Sequence, residues 1–162
     1  MSRGSPGPGR SISMDASTIE LLAASFARVA ARRDDAATIF YARLFTAAPA
    51  LRSLFKHDLE SQKAKFMSAL AQIVEYYRIG VDPESYLARL AEHHDSYGAQ
   101  RAHFETMGDA LMFTLAQVLH EHFTPEVRAA WVTAYGEVAA AMLRHGDVSP
   151  RSVRPRAASL RF

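Results

Sequence analysis

The sequence predicts an all-α fold of about seven helices, and three observations carry that prediction. Apolar residues recur at three- and four-residue intervals through most of residues 15–146, the period of a helix. No stretch alternates apolar and polar residues as a half-buried strand would. Capping residues, prolines and glycines punctuate the chain at helix-length intervals. At 162 residues and 49% apolar content the chain suits one domain with a sizeable core. The connections are short and unequal, so crossed helices fit better than an up-down four-helix bundle.

The first helix is expected in "STIELLAASFARVAARR", where Ser17 can cap and Glu20 can reach back in a capping box. Leu21, Leu22, Phe26 and Val29 form its apolar face. "DDAATIFYARLF" opens with two acids suited to the positive end of a helix. "PALRSLF" reads as a short helical corner with Pro49 in its first turn. "LESQKAKFMSALAQIVEYY" is long and amphipathic, with Gln62, Phe66, Ala69, Leu70, Ile73 and Tyr77 at matching spacings. Gly80 breaks the chain before "DPESYLARLAEHHDSYG", a shorter helix ended by Gly98. "AHFETMGDALMFTLAQVLHEHF" lines up Phe104, Met107, Leu111, Leu115 and Val118. The last helix, "TPEVRAAWVTAYGEVAAAMLRHG", has Thr124 as cap, Pro125 in first position and Gly146 at its end.

Composition excludes several classes of function. With no cysteine there is no disulfide framework, thiolate metal site or cysteine nucleophile. The start, "MSRGSPGPGRSISM", lacks the apolar run of a signal peptide, and no 18-residue apolar stretch exists, so a cytoplasmic protein without a membrane span is expected. The pI of about 9.1 suggests a nucleic-acid partner until the charge is located. Six of the 19 basic residues and one of the 17 acidic ones lie in 1–14 and 147–162, so the middle of the chain is net negative. It offers no basic stripe for phosphates, and no nucleic-acid partner is expected. Residues 1–14 and the Arg-rich 147–162 are expected to be flexible tails flanking a domain at 15–146.

"LAEHHDSYG" raises the question of two adjacent histidines. Residues four apart share a helix face, so His94 lies with Leu90 and Leu87 on the apolar side, while His93 lies with Arg89 and Glu92 on the polar side. An inward histidine near a helix end is more often a hydrogen-bonded core residue than a ligand. The other histidines read as surface or helix-end residues, and the i, i+2 spacing of "HEH" at 120–122 does not converge on a metal from a helix.

The order "FYARLF…P…LF", "SQKAKFM", "HHDSYG", "FETMGDAL" and "AAWVTAYG" changes that balance, because it resembles bacterial single-domain globins and the haem domain of flavohaemoglobins over roughly residues 17–145. The resemblance implies a globin fold around a haem pocket, with haem b (iron protoporphyrin IX) as cofactor. It assigns His94 as the proximal iron ligand, with its second ring nitrogen donating to the Leu90 carbonyl. Phe55 matches the phenylalanine that packs on the porphyrin. Tyr41 and Gln62 match the distal tyrosine and glutamine, and a slip of one residue would exchange Gln62 for Ser61. Phe66 shares the face of Gln62, and Leu90, Tyr97 and Met107 complete the expected cofactor contacts. His57 lies near a propionate in this alignment, with solvent exposure as its alternative.

The resemblance further implies reversible binding of O2, NO and CO. A phenol or amide donor in a dry pocket stabilises the partly negative outer oxygen of bound O2, by about 1–1.5 kcal/mol per bond, or roughly tenfold in affinity. NO dioxygenation is the implied chemistry, with an external reductase, since no reductase domain is expected after residue 162. O2 transport or storage fits the same residues. The alternative is a gas or redox sensor signalling to a partner protein. One departure matters: flavohaemoglobin-like domains carry a tyrosine and a glutamate behind the proximal histidine, and the matching positions here are Phe104 and Gly146. Without that acidic partner, His94 is a weaker electron donor and O–O cleavage is less favoured.

Overall fold

The computed structural model of the chain describes residues 14–55, 58–95 and 101–145, with the side chains of 93–95 and 101 outside that description. Six α-helices follow one another: α1 (Ala16–Ala30), α2 (Arg33–Ala47), α3 (Leu59–Ile79), α4 (Glu84–Asp95), α5 (Arg101–Leu119) and α6 (Pro125–His145). Short 3-10 turns at Pro49–Leu54 and His120–His122 complete the element order, and no strand occurs among the described residues.

Local chemistry explains most of the boundaries. Helix α1 is capped by Asp15, whose carboxylate accepts from the Thr18 amide at 2.8 Å, with Ser17 Oγ donating to the same oxygen at 2.9 Å. The capping box expected from Ser17 and Glu20 is therefore replaced: a carboxylate two residues earlier has the stronger claim on the free amides. Helix α3 starts at Asp58, which caps the Ser61 amide at 3.1 Å. It ends at Gly80, where φ of 71° and the bond from Val81 N to Tyr76 O at 3.0 Å close a Schellman turn. Helix α6 starts as its sequence indicates, with Thr124 Oγ1 accepting from Val127 N at 3.2 Å and Pro125 in the first position.

The helices cross rather than run parallel. Helix α1 packs on α3 and α6, α2 on α5 and α3, and α4 on α6, around a core of buried side chains from all six. Leu22, Ser25, Phe26 and Val29 are the buried face of α1, whereas Leu21, expected on that face, is 36% exposed. Ser25 takes the inward place because its hydroxyl has work there: it accepts from Trp131 Nε1 at 2.9 Å and donates to Leu22 O at 3.0 Å. Met14, one residue before the expected boundary at 15, is also buried in the core. The remaining tail residues, 1–13 and 147–162, lie outside the described residues, as does Gly146.

Helices α5 and α6 come together closely at one glycine. A Cβ on Gly108 would lie 2.7 Å from Cε1 of Tyr135, so only glycine fits beneath that ring. The same tyrosine donates its hydroxyl to the Phe104 carbonyl at 2.5 Å, one turn earlier on α5. This pair fixes the first turns of α5 against the middle of α6.

Candidate functional site

Tyr41 and Gln62 sit where α2 and α3 face each other, and both are buried, at 1% and 5% exposure. Tyr41 follows from the stripe Ala37, Phe40, Tyr41, Leu44 along the inner face of α2. Gln62 follows from the Gln62, Phe66, Ala69, Ile73 stripe of α3, and the neighbouring Ser61 is half-buried with its amide tied to Asp58.

An aromatic cage surrounds the phenol. The Tyr41 ring meets Phe55 edge-on at 5.4 Å between centroids, Phe66 at 5.9 Å, and Phe45 at 5.8 Å. Phe66 stacks on Phe40 at 4.1 Å and 14° between planes. Such rings supply dispersion and exclude water, but no hydrogen-bond acceptor of any strength. The Tyr41 hydroxyl and the Gln62 Nε2 amide are accordingly buried without a hydrogen-bond partner among the described residues.

Two unmet donors at one place are unusual in a folded protein, since each costs about 1–3 kcal/mol. Burial pushes the Tyr41 hydroxyl well above the usual phenol range, and the nearby Gln62 side chain offsets part of that shift. The hydroxyl therefore stays protonated at neutral pH and keeps its donor. The arrangement leaves a buried O–H and a buried N–H side by side with no acceptor among the described residues.

A cavity of about 80 Å³ lies between α1, α3, α4, α5 and α6. Phe66, Leu70, Ile73, Leu90, Phe104 and Met107 are among its apolar lining residues. Phe66 belongs to both the aromatic cage and the cavity wall, and so joins the two. Leu90 and Met107 come together with Phe66 here, whereas Tyr41, Gln62 and Phe55 do not line this cavity.

Helix α4 carries Leu87, Leu90 and Ala91 buried on one face, and position 94 follows Leu90 at helical spacing near its C-terminal end. The side chain of His94 is outside the described residues, as are Tyr97, His57 and Gly146. Arg89 and Glu92 are exposed, on the polar side of the helix. His120, Glu121 and His122 are all exposed in their 3-10 turn, and no metal-binding cluster occurs among the described residues.

Sequence reasoning missed two contributors to this site. Tyr135 lines the cavity and ties down Phe104, and Trp131 closes the far wall with its indole anchored on Ser25. Neither pairing is local, so no spacing along the chain announces it. The glycine one turn after Phe104 was the available signal, because a helix-interior glycine marks a close approach.

The globin family model matches residues 38–142. The flavohemoprotein of Bordetella pertussis is 35% identical over 104 residues, 62% of this chain and 26% of that protein. Flavohemoprotein A of Dictyostelium discoideum is 32% identical over 108 residues, 65% of this chain and 27% of that protein. The chain thus spans about a quarter of the length of the curated relatives it matches. Among solved structures, an engineered carbene transferase, provisionally assigned as a nitric oxide dioxygenase of Rhodothermus marinus, superposes with a TM-score of 0.69 at 26% identity, covering 80% of this chain and 91% of that one. A Pseudomonas aeruginosa protein described as structurally highly homologous to human hemoglobin gives 0.72 at 22%, covering 80% and 99%. The flavohemoglobin of Malassezia yamatoensis, solved with bound FAD and heme, gives 0.69 at 22%, covering 81% and 36%.

Proposed function

The chain belongs to the globin family, and from that premise we propose that it binds haem b and reversibly holds O2, NO and CO. The observation that carries the proposal is the Tyr41–Gln62 pair: two buried donors without partners, caged by aromatic rings, at the junction of α2 and α3. These donors cost stability unless a ligand uses them.

The residues fit the group. Helix α4 offers His94 as the residue that would hold the iron, one turn after the buried Leu90, with the Leu90 carbonyl as the acceptor that would fix the ring's tautomer. Phe66, Leu90 and Met107 supply apolar walls, and Phe55 and Tyr97 complete the contacts in this reading. Bound haem would supply the attachment point for the gas and the change of iron oxidation state that turnover requires.

The protein's own part is electrostatic. Tyr41 keeps its proton because burial disfavours the phenolate, and it donates to whatever partial negative charge enters the cage. Gln62 adds a second donor through Nε2 from the opposing helix. Phe66 and Phe55 keep water from competing for those bonds. This donor pair would favour O2, which would carry partial negative charge when bound, over the less polar CO.

With electrons from an external reductase, the same site supports oxidation of NO by O2 to nitrate. The flavohemoprotein relatives and the Rhodothermus marinus structure support this extension over a storage role. Titration of haem into the full-length chain should saturate at one per chain, and the reduced, oxygenated protein should consume NO with nitrate as product. NO consumption no faster than that of free haem overturns the dioxygenase part, and absence of saturation overturns the whole.

A further inference from the structure

A second polar pair joins a buried phenol to a half-buried carboxylate, and gas binding makes no use of it. Tyr77 ends the inward stripe of α3 at 3% exposure, and its Oη donates to Glu137 Oε2 on α6 at 2.9 Å. Among the described residues this is the one phenol whose hydroxyl donates to a carboxylate: Tyr135 donates to a peptide carbonyl, and Tyr41 has no partner. The difference is chemical. A phenol that loses an electron becomes a very strong acid, so oxidation is far easier when a base already on the hydrogen bond takes the proton at the same moment. A carboxylate can keep that proton, whereas a peptide carbonyl cannot.

Position adds to the chemistry. Ile73, four residues before Tyr77 on the same face, lines the cavity, as does Val138, next to Glu137. Tyr77 therefore stands about one helical turn, roughly 6 Å of rise, beyond Ile73, and Glu137 directly beside Val138. On the outer side, Tyr76 meets Tyr86 of α4 with ring centroids 5.6 Å apart, both half-buried, and the Arg89 guanidinium lies over the Tyr86 ring. Burial and the adjacent Glu137 charge hold Tyr77 neutral well past the usual phenol range, so its proton stays in place until an electron leaves.

We propose that Tyr77 and Glu137 form a redox-active tyrosine site. One-electron oxidation breaks the Tyr77 O–H bond, and the proton forms a new O–H bond at Glu137 Oε2. The electron passes to a peroxide-derived one-electron oxidant, leaving a neutral Tyr77 radical. Return of one electron from an external reductant such as ascorbate, with the proton moving back from Glu137 Oε2 to the Tyr77 oxygen, reverses both transfers. This rests on the haem reading only for the source of the oxidant, so the pair is tested with an external one.

The experiment oxidises the full-length chain with photogenerated ruthenium(III) tris-bipyridine and follows the tyrosyl radical by transient absorption and freeze-quench electron paramagnetic resonance. The fast-forming tyrosyl signal should be lost in Tyr77→Phe and should form about 100-fold more slowly in Glu137→Gln, which keeps an acceptor but not a base. An undiminished signal in Tyr77→Phe, or an unchanged rate in Glu137→Gln, overturns the proposal. If Tyr77→Phe does not fold, a fluorotyrosine at position 77 decides the matter, since fluorine splitting appears only when the radical resides on that ring. A chain that takes up no haem would still give these results, so the two readings fail separately.

Discussion

Replacing Tyr41 by phenylalanine removes one oxygen from the interior and leaves every ring contact in place. The edge contacts to Phe55 and Phe66 and the tilted contact to Phe45 depend on the ring, not on the hydroxyl. The hydroxyl has no hydrogen-bond partner among the described residues, so its removal breaks no bond there. It instead relieves the desolvation cost of an unmet polar group, which is about 1–3 kcal/mol. Part of that gain is given back as a small void, and the variant without gas should be more stable by about 1 kcal/mol, or roughly 2–4 °C in Tm. Gas binding should change in the opposite direction. One donor to O2 is lost, worth about 1–1.5 kcal/mol, so O2 should leave roughly tenfold faster, with CO affected much less. Thermal unfolding and stopped-flow O2 release, on the same preparation, read the two effects. A Tyr41→Phe protein that is destabilised by more than about 1 kcal/mol while O2 release stays unchanged would refute this, and would make the hydroxyl structural.

Other expectations follow from the same geometry. Gln62→Leu should speed O2 release in the same direction as Tyr41→Phe, whereas Ser61→Ala should leave it unchanged, and a reversed result would shift the α3 register by one residue. Gly108→Ala forces a methyl into the Tyr135 ring, so urea denaturation should show a loss of about 1–3 kcal/mol in spite of alanine's better helix propensity. Ser25→Ala strands the buried Trp131 indole N–H and should cost about 1–3 kcal/mol, with a changed tryptophan fluorescence as its local signature. Tyr41, Tyr77 and Tyr135 are all held protonated above the usual phenol range, mainly by burial. Their unfolded forms ionise first, so the folded state is disfavoured as pH rises past about 10, and stability measured from pH 7 to 11 should fall there. A flat profile would mean that these hydroxyls are hydrated.

The helices were legible because their signals are local. The cap at Thr124, the stop at Gly80 and the stripe Gln62, Phe66, Ala69, Ile73 each need only a few neighbouring residues to be read. Errors arose where two local candidates competed. Asp15 displaced Ser17 as the cap of α1, and Ser25 displaced Leu21 from the buried face because Trp131, far along the chain, needed an acceptor. Partnerships between helices were not legible at all: Tyr135 with Phe104, Tyr77 with Glu137, and the ring cage around Tyr41 depend on how helices cross. The candidate site was therefore read through family resemblance for its roles, and only the structure sets the buried Tyr41 hydroxyl beside the Gln62 amide.

The account turns on His94, and the visible spectrum of the full-length protein tests it most directly. The ferrous protein, recorded with and without CO beside His94→Ala, should show a haem b spectrum with a CO-shifted Soret band in the wild type. The variant should retain the fold by circular dichroism but show a weakened or altered Soret band. A wild-type chain with no Soret band after haem is supplied would contradict haem binding, and a spectrum unchanged by His94→Ala would give the iron a different ligand.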